Sequence, residues 1–343
     1  MCRHVCPVGR TTKREANTPH GWALLLASVD RGQMQWNSDS IDTLYECADC
    51  GLCQSFCVTD QPLPLAIVSG RTDLAARGAA PESVVNLEAK LKRWSNPYAE
   101  IAPALTRGTT PTVLFVGAAA QHLRPQTIIA ARKLLDALGH KHSLIGVGRS
   151  SAYLPYTLGL RETATELALA TLSEIRASSC QRVVVLSPED LHSFTTVNQT
   201  LGLRLPDGVE VIDLMTLIAE ALTRLKIRPL AQTLTYHDPA HTARMPARAA
   251  TVRRVLAGLS QHPLRELFWR EQRAAPGGTA GGLEFTHPHL ATQMTQDRLT
   301  EAASTGADLF VTEDPLALAH LSARANGQIQ IAGLYELLAQ QIS

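Results

Sequence analysis

Six of the chain's seven cysteines lie within its first 57 residues, and four of them fall at Cys47, Cys50, Cys53 and Cys57. This C-x2-C-x2-C-x3-C run packs its thiols onto one tight loop. Three of them can grip three corners of a [4Fe–4S] cubane while a remote thiolate takes the fourth iron. Gly51 suits such a loop because glycine tolerates positive φ where the chain must curl. The alternative is a zinc knuckle, but zinc sites ordinarily pair two short hooks across a longer gap. Upstream, Cys2-Arg3-His4-Val5-Cys6-Pro7 reads C-x3-C-P, the second half of another such run.

In two-cluster ferredoxins the fourth cysteine of each run ligates the cluster held by the other run. On that logic Cys6 completes the cluster of Cys47, Cys50 and Cys53, while Cys57 reaches toward a second cluster anchored by Cys2. The second site is incomplete. Either the run continues upstream of Met1, or Cys2 and Cys57 remain from a lost cluster. The first is preferred, since two orphan thiols at cluster spacing would be oxidation liabilities.

A run of about 18 apolar residues and a secretory signal are both missing from the printed sequence, so a cytoplasmic protein is expected, with clustered cysteines serving metal rather than disulfides. Hydrophobic residues at 45% and charged residues at 18% describe a globular chain, and a net charge of +1 gives no electrostatic case for nucleic acid.

Between the cysteine runs, Thr18 to Val29 starts with helix N-terminal signals, and a second helix from about Asp39 to Glu46 would deliver the chain to Cys47. Two helices between two cluster runs is the α-helical ferredoxin pattern; His4 and His20 are read as surface or packing residues. Residues 60 to 82 carry turn-rich prolines and glycines and read as a linker, followed by a helix from Glu82 to Trp94.

From residue 112 the character changes. Val113–Val116, His142–Ile145, Arg182–Leu186 and Val209–Ile212 are strand candidates, with helices at Thr127–Leu138, Arg161–Ala177 and Asp213–Leu222. Such alternation implies a parallel sheet with helices on its faces. About 120 residues later the plan recurs at Thr233–Tyr236, Leu309–His320 and Ile329–Leu338, which marks a tandem duplication. The expected architecture is an α-helical ferredoxin-like domain (1–75), a helical linker (76–110) and two α/β repeats with parallel sheets (111–228 and 229–343).

These features together resemble the iron–sulfur subunits of the glycolate oxidase and heterodisulfide reductase class, which join an α-helical ferredoxin domain to two cysteine-rich CCG domains. The resemblance rests on the cysteine runs and on Tyr236-His237-Asp238-Pro239-Ala240-His241, where the class has Y-H-D-P-C-H. It also rests on the glycine-rich run Ala275 to Gly282, where the class has C-C-G-x-G-G, and on Val311 to His320. The departures are as informative. Gly117-Ala118, Gly148-Arg149-Ser150, Ser187-Pro188, Ala240, Ala275 and Pro276 stand where the class places CCG cysteines, and none supplies a soft donor. The repeats are therefore expected to be a retained scaffold without the class's additional cluster or disulfide-reducing chemistry.

Other candidates carry milder readings. His237, Asp238 and His241 could ligate a metal, but after a strand they are expected to cap and pack. The glycine-rich run could receive phosphate at a helix N-terminus, yet no G-x-G-x-x-G with a downstream acid follows a first strand. His287 and His289 are read as surface residues, and Cys180 as a small buried hydrophobe. The resemblance implies an electron-transfer subunit relaying electrons between a flavoprotein dehydrogenase, such as one oxidising a 2-hydroxy acid, and a quinone or carrier. The alternative is a scaffold or redox-sensing subunit whose cluster is structural and whose repeats bind a partner protein. No nucleophile, base and orienter set suggests independent catalysis.

Overall fold

The computed structural model describes residues 2–101 and 108–342, with the Cys2 side chain outside the described set. The part before residue 95 is built from helices alone. Pro19–Asp30 is capped by the Thr18 hydroxyl, which accepts from Gly21 N at 3.2 Å. Ser38–Tyr45 begins with a capping box in which Asn37 and Ser40 satisfy each other's backbone amides. These helices meet around Trp22, whose indole N–H donates to Thr43 O at 2.8 Å.

The segment read as a linker is helical from Leu63 to Ala76. Its prolines sit at the first turn, where a missing N–H costs nothing, and Ile67, Arg71 and Leu74 form a buried stripe. The Glu82–Trp94 helix is also buried on one face, with Val84, Leu87 and Leu91 packed against Leu158, Leu160 and Leu167. The helical part is thereby fused to the repeats through a shared core.

The first repeat forms a four-stranded parallel sheet in the order β2-β1-β3-β4, with β1 Thr112–Gly117, β2 His142–Val147, β3 Arg182–Val185 and β4 Glu210–Asp213. The second forms a three-stranded parallel sheet in the order β5-β6-β7, with β5 Leu234–Tyr236, β6 Leu309–Thr312 and β7 Gln330–Gly333. The strand order β1-β3-β4 is repeated in β5-β6-β7, as the internal duplication requires. Among the described residues no strand of the second sheet matches β2. There, Leu230 and Ser260 make only an isolated bridge and Arg265 N reaches Leu234 O; Pro263, which lacks an N–H, interrupts the stretch.

Side chains alternate across each sheet. Leu114, Val116 and Val184 join Leu234, Tyr236 and Val311 in one core common to both repeats, while Val113, Phe115 and Val183 face a second core that includes Cys180. The helices meet in exchanged fashion. Pro125–Ala137, the first long helix of one repeat, packs on Leu334–Gln341, the last of the other, and Leu214–Glu220 packs on Pro246–Leu259. Among the described residues no helix is long and apolar enough to cross a membrane.

Candidate metal centre

Four cysteines converge where the helical part meets the second repeat. Cys6 sits at the N-cap of Pro7–Thr12, its sulfur receiving Gly9 N at 3.5 Å and its thiol facing Asn17 O at the same distance. Cys47 and Cys50 lie on the loop that follows Ser38–Tyr45, with Asp49 N donating to the Cys47 sulfur at 3.4 Å. Cys53 is in the short helix Leu52–Ser55, entered through Gly51 at φ +78°. A Cβ on Gly51 would also run into the Arg244 side chain, so two separate demands fix glycine here.

Burial raises the Cys47 thiol to about 12 and moves Cys6, Cys50 and Cys53 upward as well. Mutual proximity adds to this, since Cys53 responds to Cys47, Cys50 and Cys6. Uncoordinated, such thiols stay protonated; bound to iron they become thiolates, and binding releases their protons. Two cations offset that charge. Arg244 favours the anionic form of Cys50 and Cys53, and Arg71 that of Cys47. Among the described residues no three His, Cys, Asp or Glu side chains converge on a single-ion site. A cubane makes a different demand, since its thiolates are spread over separate irons. The donor set, the inward amides and the flanking cations fit such a cluster.

Arg71 is the strongest fastening of the loop. Fully buried, it donates to the carbonyls of Leu44 (2.9 Å), Tyr45 (3.2 Å), Cys47 (2.7 Å) and Thr157 (2.7 Å). Arg244 reaches from the second repeat to Asp49 O and Oδ1, both at 2.9 Å, and Asp49 also accepts from Tyr153 and Thr157 hydroxyls at 3.1 Å. Neither arginine is singled out by the sequence motifs. Arg71 had a signal, being a charge on the apolar stripe of its helix; Arg244 had none, because its partner is 195 residues away.

Cys57 stands apart. It is partly exposed, and its sulfur lies 3.3 Å from Thr59 Oγ1. Its thiol is shifted downward, chiefly by hydrogen bonding to the Thr59 side chain and to backbone amides. The Cys2 side chain lies outside the described residues, although the Cys2–Val5 helix packs on Leu52–Ser55.

No protein-family model matches the chain. A dihydromethanophenazine:CoB–CoM heterodisulfide reductase component from Methanosarcina barkeri is 24% identical over 322 residues, covering 88% of this chain and 78% of that protein. Its namesake from Methanosarcina acetivorans is 24% identical over 298 residues, covering 82% and 72%. Over most of its length the chain is thus similar to heterodisulfide reductase components, in line with the class that its cysteine runs resemble. A fumarate reductase (CoM/CoB) component from Methanothermobacter marburgensis matches a shorter stretch, 25% over 137 residues, covering 38% of this chain and 27% of that one. A solved hypothetical protein from Helicobacter pylori superposes with a TM-score of 0.62 at 12% identity, covering 94% of this chain and 67% of that one, a likeness of fold alone.

The positions where this class carries CCG cysteines are now placed. Gly117, Ala118, Ser150 and Ser187 line one cavity of about 60 Å³ together with Tyr98, Glu189, Asp190, Glu284 and Asp314. Burial raises these carboxyls, Asp190 and Asp314 to about 6 and Glu284 to about 8. Ala275 and Pro276 line another, of about 200 Å³, beside Arg10, Trp269 and Arg298. Neither cavity is lined by a cysteine.

The remaining motifs serve packing. Asp238 takes two hydrogen bonds from Arg253, at 3.0 and 2.8 Å, and one from Glu271 N; His237 is buried against Phe310. The glycine-rich run presses onto the cysteine loop, and a Cβ on Gly281 would lie 2.8 Å from the Ala48 carbonyl carbon. His287 is a hydrogen-bond partner of Asp42 at 3.1 Å.

Proposed function

We propose that Cys6, Cys47, Cys50 and Cys53 hold one [4Fe–4S] cluster, and that the chain is an electron-transfer subunit passing single electrons between a flavoprotein dehydrogenase and a quinone or carrier. The observation that carries this reading is the convergence of four thiols from two separate runs, three buried and Cys53 half-buried, met by the Gly9 and Asp49 amides and flanked by Arg71 and Arg244. The cluster would supply reversible one-electron chemistry. The protein's part is to exclude water, fix the thiolates and offset their charge. An oxidoreductase role is further supported by the names of the relatives, one of which couples dihydromethanophenazine to a heterodisulfide. A 2-hydroxy-acid dehydrogenase as the electron donor, residues 1–75 as a ferredoxin-type domain, and a second cluster at Cys2 and Cys57 belong to the same proposal.

Iron and acid-labile sulfide per chain, together with the EPR spectrum of the reduced protein, test it. Four irons with a cubane signal that disappears on oxidation by a flavoprotein or quinone analogue is the expected result, and eight would bring Cys2 and Cys57 into a second site. A second reading, in which the cluster is structural or redox-sensing and the repeats bind a partner, draws on the loss of every CCG-type thiol from the repeats. A cluster that cannot be reduced without unfolding the chain would favour it.

A further inference from the structure

Beside the cysteine loop the surface opens into a groove of about 670 Å³, within the range of small-molecule sites. Asp49 and Gly51, the neighbours of Cys50, form its floor. One wall carries a π-helical turn, Ser193–Val197, which presents Thr195 and Thr196 to the groove. Such turns are rare and concentrate at functional sites.

His192 lies at the base of that wall. Arg244 approaches its Nε2 at 3.2 Å. A guanidinium can only donate, so Nε2 accepts and the ring proton is assigned to Nδ1. Burial, then Arg244, lowers this imidazole to about 4, which keeps it neutral. Its Nδ1–H has no hydrogen-bond partner among the described residues, and the side chain lines the groove. Behind it, His241 is buried, held at φ +72° and stacked on His192 at 4.8 Å and 14°. Neither ring nitrogen of His241 has a hydrogen-bond partner among the described residues. A left-handed non-glycine residue with an unsatisfied buried ring is a strained arrangement of the sort found around ligand sites.

The polar group offered at the base is a donor, the His192 N–H, while Arg244 turns its guanidinium to His192 Nε2 and Asp49. The floor carboxylate of Asp49 is already taken by Tyr153, Thr157 and Arg244. Leu65, Val68 and Met245 supply an apolar wall, and Leu65 is 51% exposed. A donor at the base and an apolar slot above it suit a flat ring bearing carbonyl oxygens.

We propose that this groove binds a quinone, with the His192 Nδ1–H donating to one carbonyl oxygen and the ring lying against Leu65, Val68 and Met245. The inference rests on the electron-transfer reading above and gives its acceptor a place. Reduction to the hydroquinone takes two electrons and two protons, converting both C=O groups to C–OH. The electrons are those the flavoprotein partner delivers, and the protons enter from solvent at the groove mouth.

Equilibrium dialysis of menadione against the oxidised protein as purified tests the site without turnover. One saturable equivalent per chain is expected. Thr196→Trp, which fills the groove from an exposed position, and His192→Phe, which keeps the stacked ring but removes the N–H, should each weaken binding at least tenfold. Ile129→Ser, on a remote exposed surface, should leave it unchanged. With rapid mixing, menadione should reoxidise the dithionite-reduced protein at a rate that saturates, and both groove variants should raise the half-saturating concentration. Iron content and the EPR signal are checked for each variant. If menadione fails to bind saturably to protein of full iron content, or binds Thr196→Trp and His192→Phe as tightly as the parent, the groove proposal is overturned while the electron-transfer reading stands. Protein that holds no iron sinks that reading, and the groove proposal with it.

Discussion

Two buried sites lie where the helical part meets the repeats, and they differ in donor atom. Around Cys6, Cys47, Cys50 and Cys53 the donors are sulfur, the backbone turns amides inward and two arginines add positive charge. Around Ser150, Ser187, Glu189, Asp190, Glu284 and Asp314 the donors are oxygen, and several of the carboxyls are held toward their protonated forms. Soft thiolates select iron–sulfur chemistry and hard oxygens do not. The repeats keep their sheet order and exchanged helix packing regardless, because those depend on alternating apolar side chains such as Val113 and Leu114. The fold of the repeats thus does not depend on which donor atoms line the cavity.

The largest expected effect comes from removing one sulfur. Cys50→Ser should abolish the brown absorbance and bring iron close to zero. It should also expose the helical part to proteolysis, since metal binding there is a share of the folding free energy. An unchanged visible spectrum would overturn the ligand assignment. Cys6→Ser should do nearly as much, and a protein that tolerates it while failing on Cys57→Ser would reverse the proposed ligand topology.

Arg71→Met tests the cation rather than the sulfur. The substitution leaves several buried carbonyls without donors, at about 1–3 kcal/mol each, so a loss of at least about 3 kcal/mol in denaturant unfolding is expected. Where the cluster survives, its reduction potential should fall, because the added electron loses a buried positive neighbour. A potential unchanged in the variant would show that Arg71 only ties the loop.

How much of this could be read from the chain alone follows from the range of the interactions. The cysteine loop is local, and so is the strand-helix alternation, which is why Cys47 to Cys53 and the duplicated plan are visible in the sequence. Arg71, Asp49 and Arg244 act across 24 to 195 residues, and no motif marks such pairs. The linker reading of residues 60 to 82 takes Pro62, Pro64 and Gly70 as breakers, whereas the prolines occupy a helix start and the buried stripe carries the helix on. The glycine-rich run has a meaning other than phosphate: Gly281, at φ +69°, lets the loop lie against Ala48.

The oxygen-lined cavity gives a smaller and oppositely directed effect. Burial, then the charge of Asp314, raises the Glu284 carboxyl to about 8, and both of its oxygens are buried without a hydrogen-bond partner among the described residues. Its folded pKa is therefore above its unfolded value near 4.5, so the native state binds more protons across that window. The contribution is present below about pH 4.5 and is lost as pH rises through 8. Glu284→Gln should match the parent near pH 4.5 and exceed it at pH 8 by an amount on the order of 1–3 kcal/mol. Urea midpoints at the two pH values check this. Glu189, Asp190 and Asp314 face the same cavity and are raised in the same direction, so their contributions add to that of Glu284, and a parent whose stability is flat across the window would overturn the assignment.

The smallest expected effect concerns the cysteine that does not converge. Cys57 is partly exposed beside Thr59, in a shallow apolar recess of about 410 Å³ formed with Cys53, Pro19, His20 and Leu63. Hydrogen bonds shift it toward the thiolate. In a chain holding one cubane, Cys57→Ser should leave iron, colour and unfolding midpoint unchanged, as is usual for a surface substitution. It should also remove the thiol that reacts fastest with iodoacetamide, as exposure and thiolate character require. A loss of four irons out of eight would instead show that the recess houses a second cluster, and the comparison between the two buried sites would become one among three.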